Sequence, residues 1–532
     1  MVCGDSEYPE RDLVDVAKDI QQTKDSALPG GSMTLRAFWL MAAKTLGFAF
    51  AFALPPIFVR YLSQSEYGLF KQMFLIVGTA LTVVPLGFGM SAYYFLPREG
   101  EQQRKQVVLN IFLFNAFMGA LALIVLILWP SLLVGIFKDA MFAEYAPLIG
   151  VVILFLVISS FLETVVVANQ ETTLSTVFII GAQLTKMLFM LSALFLFGTL
   201  RALVYAAVAQ GALQTVLLLY YLQLRFPRFW REFDFSMLRT QMAYAIPLGC
   251  AGLLFIVQTD LHNYFVSHRF SPAEFAVYSV GCLELPLFGL LRESINSVMI
   301  PRVSLLQKEN NTREIILFTA RVTRKLAAIF FPAYAFFIVA GRDFIEFLFT
   351  SAYSASWPIF AINLTLVPLS IIMVDAVVRA YAEHRYYLLK LRVAMLFLLV
   401  PGLWLGVARF GLLGAVGTIA FVSVVERVAL VIKFGRVLRV SRSDLALFKD
   451  VGKIAVASLL AGSMAALSRS LLPGLKPFFV LAVCGVAVTV SYVAAILILK
   501  VITAEEIDLA RRSVVRWERW PYWKRAPADS LS

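Results

Sequence analysis

The residues best placed to do chemistry in this 532-residue chain are charged side chains set inside long apolar stretches. Lys44, Lys186 and Arg292 are the cations, and Glu163, Asp260, Glu284, Glu293, Asp375 and Glu426 are the acids. A charge at membrane depth costs at least ~2.5–3.5 kcal/mol on insertion scales, so each is expected to face a cavity or a partner. A lysine or arginine in a low-dielectric cavity receives concentrated negative charge. An acid in the same setting, Glu163, Asp260 or Asp375, is a candidate for binding H⁺ or Na⁺. Two local readings compete with these: the cations snorkel, and Asp375 pairs with Arg379 at i,i+4 on its own helix. His262 stands two residues from Asp260, on a different helical face, and reads as a satisfied polar residue. No metal site is expected, since the three histidines have no cysteine partners at ligand spacing, and no cofactor or phosphate-loop motif occurs.

The elements that position these charges are membrane helices. The chain is 60% hydrophobic and 15% charged, with a mean hydropathy of +0.80, against about 45–50% and ~25% for soluble domains. Apolar runs of about 20 residues recur along it, each long enough to cross a ~30 Å hydrocarbon core as helix. An all-α integral membrane protein of about fourteen spans follows, with spans near 35–59, 73–96, 106–129, 147–169, 173–198, 201–224, 241–267, 273–300, 325–341, 357–381, 388–408, 411–435, 451–472 and 477–499. The ninth is short, from Leu326 to Ala340, and the stretch from Arg302 to Arg324 before it reads as a helical extension on the cytoplasmic side. Residues 1–33 form an acidic tail without the basic start and apolar core of a signal peptide.

Basic residues orient the chain. Roughly 22 Lys and Arg follow even-numbered spans and roughly 9, Arg60 and Lys71 among them, follow odd-numbered ones, which predicts both termini in the cytoplasm of a multi-pass cell-membrane protein. The formal charge of +13 is therefore a topology signal, and nucleic acid is not an expected partner. Residues 501–532 close the chain with Arg511, Arg512, Arg516 and Arg519 among Trp517, Trp520 and Trp523, a pattern suited to the anionic face of a lipid bilayer.

Compared with itself, the chain shows three matches at nearly constant offset. Ser63 and Glu66 match Ser271 and Glu274 at an offset of 208, Pro97-Arg98 matches Pro301-Arg302 at 204, and Glu163 to Glu171 matches Asp375 to Glu383 at 212. Spans one to six thus correspond to spans seven to twelve, and because six is even the copies are parallel, with a site expected between them near the midplane. The predicted organisation is a tail (1–33), a six-helix bundle (34–224), a cytoplasmic linker (225–240), a second six-helix bundle (241–437), two added spans (438–500) and a basic, aromatic tail (501–532).

With Phe58-Val-Arg-Tyr-Leu-Ser-Gln-Ser-Glu-Tyr-Gly-Leu-Phe70, Leu86-Gly-Phe-Gly-Met-Ser-Ala92, Gln258-Thr-Asp260, Ala276-Val-Tyr278, Phe347-Leu-Phe-Thr-Ser-Ala-Tyr353 and Gly411-Leu-Leu-Gly414-Ala-Val-Gly417 in order, the chain resembles the polysaccharide transporter branch of the multidrug/oligosaccharidyl-lipid/polysaccharide exporter superfamily, the Wzx-type flippases. The resemblance implies two bundles around a cavity that opens alternately to each side. It implies a cargo of undecaprenyl-pyrophosphate-linked oligosaccharide for surface polysaccharides such as lipopolysaccharide or exopolysaccharide. Lys44, Lys186 and Arg292 would then bind the pyrophosphate, and Glu163, Asp260 or Asp375 the H⁺ or Na⁺ that drives turnover. Glycosyltransferases and a polysaccharide polymerase would be its working partners.

Three rival readings stay open. A lipid II flippase and a drug/cation antiporter share the superfamily, although the antiporters carry an acid in the first span where this chain has Lys44. A membrane polymerase or ligase would need a long outer loop with catalytic groups, and the longest outer connections, Pro130 to Pro147 and Gly341 to Ser356, hold no acid–base constellation.

Overall fold

The computed structural model describes residues 45–501 apart from 46, 48, 51 and 382–384, and omits the side chains of 172, 248, 251, 255, 376, 379, 380 and 385. Lys44, most of the expected first span, both tails and the Arg379 side chain lie outside the described residues.

Residues 52–61 are helical (α1), and Ser63 then starts α2, Gln64–Val83. This start is a capping box: the Glu66 carboxylate accepts from the Ser63 backbone N–H at 2.9 Å while the Ser63 hydroxyl accepts from the Glu66 N–H at 3.2 Å. The second expected span therefore begins about two and a half turns earlier than residue 73, and Lys71 lies inside a helix and not in a connection. Pro85, which cannot donate, and Leu86 and Gly87, both at positive φ, end the run. A 3₁₀ turn at Phe88–Met90 and α3, Ser91–Phe95, continue it after a 44° bend.

Four long elements complete the first half: α4 Glu101–Leu128, α6 Met141–Ser159 running on as α7 Phe161–Ala168, α8 Thr172–Phe197 and α9 Leu200–Arg225, with a short α5, Ser131–Phe137, ahead of α6. The α6 helix packs against α4, α9 and α2, and α9 against α8. Their outward faces carry Phe117, Leu188, Leu196 and Tyr220, each more than 60% exposed, the inverse of a water-soluble surface.

The second half repeats the plan with deeper breaks. Its elements are α10 Phe235–Arg269, α11 Pro272–Gly281, α12 Pro286–Lys308, α13 Thr312–Phe349, α14 Trp357–Leu364, α15 Leu366–Leu369, α16 Val374–Ala380 and α17 Arg385–Val437. Ser271 and Glu274 start α11 with the same capping box as α2, at N-cap angles of φ −63°, ψ 158° against −63°, 161°. The α2 element, however, runs 20 residues before it breaks, and α11 only 10. At ~1.5 Å per residue these are about 30 and 15 Å, so the second break falls at half the depth of a bilayer core. The matched Pro97 and Pro301 also differ in setting, since Pro97 follows α3 while Pro301 lies inside α12. The α17 element turns back on itself at Gly411, φ 58°, ψ −135°. The Thr418 hydroxyl donates to Gly402 O at 3.0 Å and the Tyr387 hydroxyl to Ala429 O at 3.1 Å across the hairpin, so its arms are the expected eleventh and twelfth spans.

Two last helices, α18 Lys449–Ser470 and α19 Pro477–Ile498, pack on each other and on α13. Arg469 joins Asp343 of α13 at 2.9 Å and donates to Val339 O at 2.6 Å. The α13 helix is 38 residues long and includes the stretch from Gly341 expected to be loop. Among the described residues nine helices are long and apolar enough to span a membrane, or up to twelve when three bent pairs each count once.

The halves touch backbone to backbone. A Cβ on Gly68 of α2 would run into the Pro272 carbonyl at the start of α11, and one on Gly249 of α10 into the Leu86 carbonyl beyond α2. Small residues permit such approach, the packing mode favoured where lipid removes the hydrophobic drive between helices. The Arg60 guanidinium adds a polar tie, donating to Leu348 O at 2.7 Å and Phe347 O at 2.9 Å and so satisfying the end of α13.

Candidate functional site

Backbone polar groups freed at membrane depth are tolerated where they meet protein or line a watery cavity. Both deep breaks of the second half do so. The 282–285 stretch between α11 and α12, bent by 54°, and the region around 370–373 between α15 and α16 border one cavity of about 1240 Å³. Further walls come from Lys71 and Phe74 on α2, from Gln258, Asp260 and His262 on α10, and from both arms of α17, Arg392 on the first and Glu426 and Arg427 on the returning one.

An arginine accompanies each break. Arg292, in the second turn of α12, forms an ion pair with Glu284, which projects from the break itself. Arg427 donates to Ile372 O at 3.0 Å and stands 3.5 Å from Asp375 in the first turn of α16. Pro286 opens α12, since its missing N–H costs nothing at a helix start and its ring disfavours helical Leu285. The Glu426 carboxylate accepts from the Gln258 amide at 3.2 Å, and His262 Nδ1 lies 2.8 Å from the Tyr278 hydroxyl, tying α10 to α17 and α11.

Four cations, Lys71, Arg292, Arg392 and Arg427, and five acids, Asp260, Glu284, Glu293, Asp375 and Glu426, line this one space. Lys71 has no ion pair or hydrogen bond among the described residues. Apart from Lys71, none of the cavity's cations comes from the first half of the chain, so the wall is asymmetric despite the repeat.

Of the residues expected from sequence, Arg292, Asp260 and Asp375 line the cavity, as do Glu284, Glu293 and Glu426. Lys186, exposed on α8, and Glu163, in the first turn of α7, do not. Glu163 and Asp375 keep matching places at the start of a helix segment, but α6 passes into α7 at Ser160 with helical angles while the corresponding stretch before α16 is open. The symmetric pair of acids is thus not brought into one space. Asp375 is paired with Arg427 of a different element, while the side chain of Arg379, its expected partner along its own helix, lies outside the described residues. Sequence reading passed over Lys71, Arg392 and Arg427 as cavity residues. For Lys71 the usable signal was Ser63-x-x-Glu66, which sets it two turns into a helix. Among the described residues no group of His, Cys, Asp or Glu could hold a metal ion.

Comparison with solved structures places this architecture. The lipid II flippase MurJ in an inward closed conformation superposes with a TM-score of 0.67 at 12% identity, covering 88% of this chain and 98% of that one. An inward-facing multidrug-resistance transporter of the same superfamily gives 0.57 at 14% identity, covering 79% and 97%. A superfamily transporter from Pyrococcus furiosus, described as having a binding pocket of reversed polarity, gives 0.54 at 14%, covering 76% and 95%. A search of curated protein sequences finds no match. The chain is a multi-pass membrane protein with the transporter fold of the multidrug/oligosaccharidyl-lipid/polysaccharide exporter superfamily. A profile of the polysaccharide biosynthesis protein family matches residues 57–358, more than half of the chain, and the protein belongs to that family.

Proposed function

We propose that the protein flips an undecaprenyl-pyrophosphate-linked oligosaccharide across the cytoplasmic membrane, both termini facing the cytoplasm, by alternating access of bundles 34–224 and 241–437. The observation that carries this reading is Lys71, unpaired among the described residues, lining one cavity inside membrane helices together with Arg292, Arg392 and Arg427. Its volume of about 1240 Å³ exceeds the ~300–1,000 Å³ of ordinary small-molecule sites, as a saccharide head group requires. Lysine and arginine in that setting suit a pyrophosphate. Asp260 and Asp375 in the same wall are the acids proposed to couple flipping to H⁺ or Na⁺, and Glu163 is the candidate outside it. Lys44 and Lys186 remain proposed contacts of the head group in other stages of the cycle.

The fold likeness to MurJ favours lipid II as an alternative cargo with the same pyrophosphate chemistry. Deleting the gene tests the class: lipid-linked oligosaccharide should accumulate facing the cytoplasm, and undiminished display on the outer leaflet would sink the proposal. Accumulation of lipid II instead would transfer the proposal to that cargo. In the complemented strain, Lys71→Gln and Arg292→Gln should each cut transport roughly ten- to a hundredfold, the worth of one charge-assisted contact of ~1.5–3 kcal/mol.

A further inference from the structure

The Glu284–Arg292 pair spans eight residues, and that spacing depends on the break. In a continuous helix the two residues would stand about 12 Å apart along the axis, whereas ion pairs on one helix favour a spacing of three or four residues, ~5–6 Å between Cβ atoms, and the widest within an unbroken described helix here, Glu314–Arg321 of α13, spans seven. With 282–285 not helical and α11 meeting α12 at 54°, Glu284 projects from the break and its carboxylate reaches the guanidinium. The pair is therefore a property of the bent span. It is also open to exchange, since the Glu284 side chain is 67% exposed and lines the cavity.

We infer that Glu284 is a built-in competitor for Arg292: bending of the α11–α12 span hands the arginine to Glu284 and expels an anionic head group, and straightening withdraws Glu284 and opens the arginine to it. This rests on the proposed pyrophosphate cargo and adds to it a reason why a tight anion site can still release. Both partners are fixed by the chain, so their effective concentration changes with the bend while the free anion's does not. Pro286 maintains the bent form by disfavouring helix at Leu285.

The test uses the full-length protein in proteoliposomes and, as probe, a fluorescent short-prenyl pyrophosphoryl monosaccharide. Glu284→Gln should bind the probe about tenfold more tightly than the parent protein, with KM for flipping lowered and maximal rate also lowered because release slows. Pro286→Ala, which alters neither charge, should tighten binding in the same direction and keeps the test available if Glu284→Gln does not assemble. The double variant should bind no more tightly than Glu284→Gln alone, since both act on one step. Unchanged or weaker binding by Glu284→Gln and Pro286→Ala, with the probe bound by the parent and lost in Arg292→Gln, overturns the competitor role alone. A parent protein that does not bind the probe, or Arg292→Gln that binds it equally, overturns the pyrophosphate reading and this inference with it.

Discussion

At the scale of single residues, the contact between the halves is decided by what is missing. Gly68 meets the Pro272 carbonyl with no room for a methyl group, while Gly78, on the same helix, has nothing within 4 Å of where a Cβ would stand. Gly68→Ala should therefore force α2 and α11 apart and lower the thermal unfolding midpoint, as overpacking typically costs ~1–3 kcal/mol. Gly78→Ala should leave it level or raise it slightly. Equal effects from the two substitutions would contradict the tight seam. Asp375 shows how far a residue can be read from its neighbours in sequence. Its acid character inside an apolar run marked it as a cavity residue, but its partner Arg427 lies 52 positions away, and no periodicity reports a contact between elements.

At the scale of elements, the legible features are the ones set by local chemistry. The capping pattern Ser-x-x-Glu, the flanking prolines and the glycine at 411 place helix starts and turns because each acts within a few residues. Ser63→Ala and Ser271→Ala should each cost about 1 kcal/mol, read as similar losses in unfolding midpoint; a loss at only one would mean that the two starts are not equivalent. The depth of the breaks was not legible. Spans two and eight begin alike, yet one runs 20 residues and the other 10, and what sustains the shorter one is a cavity assembled from α2, α10 and α17. Lys71 reads from sequence as part of a connection because hydropathy averages over a window and a lone lysine near a span end lowers the average, although the helix continues through it.

At the scale of the whole molecule, α13 gathers the pieces. Its C-terminal carbonyls accept from Arg60 of the first half, Asp343 holds Arg469 of α18, and α18 and α19 pack along its length. Removing Arg60 should loosen the halves at that end without unfolding either. In a protein whose other cysteines, Cys3, Cys250 and Cys484, are replaced by serine, the cavity residue Cys282 reports this directly. Arg60→Ala should speed its reaction with a membrane-impermeant maleimide several-fold by the loss of one such tie; an unchanged rate would show that the Gly68 seam closes that end alone. The all-helical membrane fold and the added pair were open to sequence reading because lipid imposes length and composition on every span. Which half would hold the charges was not, since that depends on two helices breaking where their counterparts run on.

The seam at Gly68 and Pro272 also bears on heat. Long side chains that separate regain rotamer freedom, which offsets part of the attraction they lose, but main-chain atoms in contact regain almost none. Their dispersion energy falls away within an ångström, so parting α2 from α11 is an enthalpic step with little entropic relief. If that step limits turnover, flipping should have a steep activation energy, and Gly68→Ala, by keeping the helices apart, should flatten the Arrhenius slope even where it slows transport at every temperature.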